Sequence, residues 1–71
     1  MVKYTIIIEK ARKNYSAYCP DVPGCVAAAD TVDEIIELMR DAIKGHLELM
    51  KEDEMEIPEP TTQAACIEIT V

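Results

Sequence analysis

The sequence predicts an α+β fold: a two-layer βββαβ unit, with a small sheet covered on one face by a single helix. Three observations carry this. "KYTIIIE" at 3–9 alternates with the period of a strand. "CPDVPGC" at 19–25 packs two prolines and a glycine between two cysteines, a strong reversal signal. From residue 31 the apolar period changes from two to the i, i+3, i+4 spacing of an amphipathic helix.

In the first strand, Tyr4, Ile6 and Ile8 share one face and Thr5 and Ile7 the other. "KARKN" at 10–14 is polar and basic and ends in Asn, a turn residue. "YSAYC" at 15–19 returns as the second strand of a hairpin. Pro20 biases Cys19 towards extended geometry and cannot donate to a ladder. Pro23-Gly24 suits a type II turn, with Pro at its second position and Gly supplying positive φ at its third. Residues 20–24 are therefore a rigid reversal. "CVAAA" at 25–29 is the third strand; its three alanines have weak strand propensity but permit close approach by a helix or another subunit.

The helix runs over 31–53. Thr31 and Glu34 have capping-box spacing, and Asp33, Glu34 and Glu37 lie where the macrodipole favours acids. Val32, Ile35, Ile36, Met39, Ala42, Ile43, His46, Leu47 and Met50 form the apolar stripe, which Leu38 and Leu49 widen. Gly45 costs roughly 1 kcal/mol in mid-helix relative to Ala. Pro58 and Pro60 keep "IPEP" extended. "AACIEITV" at 64–71 is a fourth strand, with Ile67, Ile69 and Val71 on one face and Cys66, Glu68 and Thr70 on the other. A right-handed crossover sets it parallel to the first strand and beside it, giving the order 3-2-1-4. The other sheet face, carrying Thr5, Ile7, Ser16, Tyr18, Val26 and Thr70, is left bare. That face or an edge strand is the expected surface for a homo-oligomer, a dimer or tetramer.

At 71 residues the chain is one domain, 1–71, with a modest core. It is 49 % hydrophobic but has only three tyrosines as aromatics, so the core must be aliphatic. Fourteen acidic residues against seven basic give a net charge of −7, a field that repels nucleic acid and attracts a basic protein. No apolar run is long enough to span a bilayer and no signal peptide opens the chain, so a cytoplasmic location is expected, with no membrane association. Three cysteines, an odd count, do not form a closed disulfide framework.

The ordered set of motifs resembles the HicB-like antitoxin family. Its Pro-Asp-hydrophobic-Pro-Gly-Cys turn is carried here by Pro20, Asp21, Val22, Pro23, Gly24 and Cys25. Its Asp-Thr-x-x-Glu helix start is carried by Asp30, Thr31 and Glu34, and its Pro-x-Pro by Pro58 and Pro60. The resemblance covers nearly the whole chain. It implies a partial ribonuclease-H-like sheet and a non-enzymatic role, neutralising a small basic HicA-like toxin that cleaves mRNA by covering its active site. Many members continue into a DNA-binding segment; this sequence stops at Val71, so direct DNA binding is not expected of it. An orphan, self-assembling role without a toxin is the alternative, and a small nuclease or hydrolase is a third.

No catalytic, metal or cofactor residue is assigned. Cys19 and Cys25 are five residues apart, wider than the usual zinc spacing, and are read as small apolar residues near the core. The sole histidine, His46, lies on the apolar side of the helix and is read as structural. Glu9, Asp21 and Glu68 are the carboxylates a nuclease reading would need. The candidate toxin-docking face is the acidic side of the helix: Glu34, Glu37, Asp41, Glu48 and Glu52. Interleaved Arg40, Lys44 and Lys51 blunt it through i, i+3 and i, i+4 pairs. Lys10, Arg12 and Lys13 make a basic turn without interleaved aromatics, a weak nucleic-acid signal.

Overall fold

Three short strands form one antiparallel sheet, and a long helix packs on one of its faces. The computed structural model describes residues 1–71. The strands are β1 (Ile7–Lys10), β2 (Tyr15–Tyr18) and β3 (Val26–Ala29), followed by α1 (Val32–Glu52). The sheet order is β1-β2-β3, with Ile8 opposite Ala17 and Ala17 opposite Ala27. That register aligns the inner residues Ile8, Ala17 and Ala27 beneath the helix. It also aligns Ile7, Tyr18 and Val26 in a row across the outer face, where Tyr18 and Val26 are exposed.

The α+β class and the first three strands agree with the sequence reading, but the fourth strand does not pair. Residues 64–71 have no ladder partner and are exposed throughout, so the order 3-2-1-4 is realised only as 3-2-1. Alternation fixes which side chains share a face of a strand; it does not fix which edge the strand joins. β1 is also shorter at its start than 3–9. Beyond the Ile7–Tyr18 pair, β2 leaves the ladder at Cys19 and Pro20, and Pro20 has no N–H to offer. Residues 3–6 therefore have no strand beside them.

The reversal between β2 and β3 is two β-turns in series. The Val22 N–H donates to the Cys19 carbonyl at 3.2 Å, and the Cys25 N–H donates to the Val22 carbonyl at 3.3 Å. The second turn has Gly24 at φ +90°, the left-handed region that its third position requires. The Cys19 N–H donates to the Cys25 carbonyl at 3.3 Å and closes the loop at its base. Val22, the corner shared by both turns, points inward and is fully buried. With Ala17, Cys19, Cys25, Ile35 and Met39 it makes up the buried core.

α1 begins as its capping residues dictate: the Glu34 N–H donates to the Thr31 hydroxyl at 3.1 Å, and Asp33 and Glu34 occupy the first turn. The helix lies over β3 and β2 and reaches little of β1. Its buried face is narrower than the sequence stripe. Only Ile35 and Met39 are fully buried, Val32 is exposed, and Leu38 and Leu49 face solvent rather than widening the core.

Candidate protein-binding site

Two regions of the molecule could engage a partner: the crossing that follows α1, and the outward face of α1 itself. After α1 the chain crosses the end of the sheet at which β1 starts. The Tyr4 hydroxyl donates to the Pro58 carbonyl at 2.5 Å, and the Thr5 hydroxyl donates to the Thr62 carbonyl at 3.0 Å. Both bonds tie the crossing to the residues that lead into β1. Burial, with Cys19 and Asp21 close by, holds the Tyr4 hydroxyl above its ordinary pKa.

Asp21 anchors the same crossing. Its carboxylate accepts from the Thr62 N–H at 2.9 Å, the Thr62 hydroxyl at 2.8 Å and the Thr61 hydroxyl at 3.2 Å. The Thr62 backbone bond, followed by the Thr62 hydroxyl, holds the Asp21 carboxyl below its ordinary range. The turn motif Pro20, Asp21, Pro23, Gly24 and Cys25 is thus structural in two ways: it reverses the chain, and through Asp21 it ties down the segment after the helix. The second role was not visible in the sequence, because Thr62 lies 41 residues away.

The cysteines have no disulfide partner. Cys19 and Cys25 are buried beneath the turn, and the Cys25 thiol leans on the Ala42 carbonyl at 3.8 Å. Burial, with Cys19 close by, pushes the Cys25 thiol up, away from the reactive thiolate. Cys66 is exposed on the C-terminal segment, and His46 is half-buried on the helix. No three of the His, Cys, Asp and Glu side chains converge as metal ligands would, and Glu9, Asp21 and Glu68 are not brought together.

The acidic residues Glu34, Glu37, Asp41, Glu48 and Glu52 are all exposed. Helical spacing of about 100° per residue places them on one ridge pointing away from the sheet. Leu38 and Leu49 flank that ridge at 47 % and 60 % exposure. Asp33, Glu34, Glu37, Leu38 and Asp41 outline a shallow depression near the helix start. Gly45 sits on the same ridge, and nothing lies within 4 Å of where its Cβ would be, so no part of the chain requires its small size. The expected blunting of charge is only partly present. Arg40 pairs with Glu37, whereas Lys44 and Lys51 form no ion pair. Lys10, Arg12 and Lys13 are exposed around the β1–β2 turn, with the Lys10 ammonium 5.5 Å from the centre of the Tyr15 ring.

A family model described as "HicB_like antitoxin of bacterial toxin-antitoxin system" matches residues 4–69. The chain belongs to the HicB-like antitoxin family. Among its relatives, an uncharacterised 14.9 kDa protein from the rep-hol intergenic region of Haemophilus phage HP1 is 46 % identical over 78 % of this chain and 41 % of its own length. A UPF0150 protein of Archaeoglobus fulgidus is 37 % identical over 70 % of this chain and 74 % of its own. Antitoxin HicB 2 of Photorhabdus laumondii is 28 % identical over 87 % of this chain and 45 % of its own. The chain therefore spans less than half of the phage protein and of the Photorhabdus antitoxin. HicB-like membership places it in a toxin–antitoxin context, and no helix of this family member is long and apolar enough to cross a membrane.

Proposed function

We propose that this protein is a non-enzymatic antidote that binds a small basic HicA-like toxin and covers its mRNA-cleaving active site. The observation that carries the reading, beside family membership, is the ridge of Glu34, Glu37, Asp41, Glu48 and Glu52. Each of its residues is exposed, it is largely free of pairing cations, and it is bordered by two exposed leucines. A toxin that holds RNA must present cationic groups to phosphates. An acidic ridge on a rigid helix offers those groups an alternative set of oxygens at fixed spacing, and Leu38 and Leu49 supply apolar anchors at its edge. The protein acts in the cytoplasm, where the toxin meets its mRNA substrate, and needs no cofactor for occlusion.

The test is a gentle pull-down of the tagged protein from its native cells, with identification of what accompanies it. A stoichiometric small basic protein supports the antidote role. Reversing charge with Glu37→Lys and Asp41→Lys together should then abolish co-purification and restore the toxin's RNA cleavage. Retention of the partner by that variant would remove the ridge as the docking face. Recovery of only the protein itself as a defined oligomer would favour the self-assembling role, for which the unpaired C-terminal segment is the supporting observation.

A further inference from the structure

The inner face of β1 is the least covered part of the sheet, because α1 sits over β3 and β2. Between them lies a trough of about 660 Å³. Tyr4, Ile6 and Ile8 form its sheet wall and Ile36, Ile43 and Leu47 its helix wall; eight of its eleven lining residues are hydrophobic. The free edge of β1 borders this trough, with residues 3–6 unpaired beside it. The chain also carries a segment with the matching pattern and no place in its own fold. Ile67, Ile69 and Val71 repeat at the same i, i+2, i+4 interval as Tyr4, Ile6 and Ile8, and they are 79 %, 69 % and 116 % exposed.

The arm does not turn back to fill its own trough. Asp21 and Thr5 grip Thr62 at the end of the sheet, and Pro58 and Pro60 stiffen the approach. From there the arm runs outward, and the molecule is 49 Å in its longest dimension against 25 and 18 Å in the others. Its radius of gyration is 13.9 Å. A compact chain of this length would have about 11 Å.

We propose that residues 64–71 of a second copy of this chain occupy the trough edge. There they pair with β1 and complete a four-stranded sheet of order 3-2-1-4 across the two subunits. Reciprocal exchange uses both arms and both edges and closes as a two-fold dimer. Charge selects this occupant over a basic partner. Three of the chain's seven basic residues, Lys3, Arg40 and Lys44, line the trough, and the arm brings Glu68. Pairing of the arm along residues 3–6 brings Glu68 to the edge that carries Lys3, and opposite charges on neighbouring strands favour that pairing. The toxin-binding ridge is a separate surface, so this inference does not depend on the antidote reading.

The test uses the full chain. Sedimentation equilibrium should give twice the chain mass, and the paired change Ile67→Asp and Ile69→Asp should give the single mass with unchanged helical circular dichroism. Should that variant aggregate, Glu68→Pro removes a ladder donor without touching the apolar face and should give the same result. The deciding measurement is isotope-filtered NMR on a mixture of labelled and unlabelled chains. Contacts between the methyl groups of Ile6 or Ile8 in one chain and Ile67 or Ile69 in the other are expected. A monomeric full chain overturns the proposal, as does a dimer that survives both arm variants. Contacts confined to one chain, or trough resonances that respond only to an added basic protein, overturn it as well.

Discussion

Asp21 and Thr62, 41 residues apart, are joined twice: both the N–H and the hydroxyl of Thr62 donate to the Asp21 carboxylate. This bond pair couples the reversal before β3 to the crossing after α1, and only the ionised carboxylate can accept at all of its oxygens. Asp21 is therefore held below its ordinary value of 3.8. A lowered carboxylate pKa stabilises the folded state fully above the unfolded value and loses that contribution as pH falls through the folded one. The Thr62 amide resonance should stay constant from neutral pH down through about pH 4 and move only in stronger acid. Asp21→Ala should abolish that acid transition and raise the amide exchange of residues 61–63 at neutral pH.

The two glycines should respond to alanine with opposite signs. Gly24→Ala places a Cβ in open space but at φ +90°, so its cost is backbone strain alone, about 1–2 kcal/mol. Gly45→Ala meets nothing and gains helix propensity, about 1 kcal/mol of stabilisation. Urea unfolding with an unchanged m-value measures both.

Val22→Ala should destabilise by about 2 kcal/mol, because two methyl groups leave a site enclosed by the core. Pro23→Ala, at an exposed position of the same turn, should cost less, through greater freedom of the unfolded chain. Denaturant midpoints that rank the two the other way would show that the turn, not its buried corner, dominates.

Tyr4→Phe keeps the ring and removes the hydroxyl that holds the Pro58 carbonyl. A loss of about 1 kcal/mol is expected from one hydrogen bond. Faster proteolysis within 54–63 should accompany it.

Thiol labelling at mildly alkaline pH should show one fast site, Cys66, and two slow ones. Cys19 and Cys25 are buried, and burial raises the Cys25 thiol further from ionisation. Cys66→Ser should remove the fast phase and leave the slow phase, which appears only as the core opens.

Much of this architecture is legible in local chemistry. Pro23-Gly24 names its turn because one φ must be positive and another near −65°. Thr31 and Glu34 name the helix start because an orphan N–H needs an acceptor three residues back. What was not legible depends on contacts between distant parts of the chain. Leu38 and Leu49 extend the apolar stripe in sequence, but the helix lies over β3 and β2 at an orientation that leaves them wet. The Asp21–Thr62 join has no local signature at all. Residues 64–71 have a strand's alternation, yet their partner edge is a matter of topology, which periodicity does not encode. Among the candidate site residues, the acidic ridge was legible from helical spacing, whereas the lack of ion pairs from Lys44 and Lys51 was not.

Burial along α1 is uneven, and this grades its opening. Ile35 and Met39, the only fully buried helix residues, lie in its first half; from Ala42 to Met50 the inward side chains are half-buried. Unwinding from Glu52 towards Ile43 exposes little apolar surface that water does not already reach, so that end should fray in small, fast steps. Beyond Met39, unwinding breaks the core itself and becomes global. Hydrogen exchange should accordingly rise along the helix from the Met39 amide towards Glu52. Any occupant that covers Ile43 and Leu47 should flatten that gradient, so exchange at those two amides reports occupancy of the trough directly.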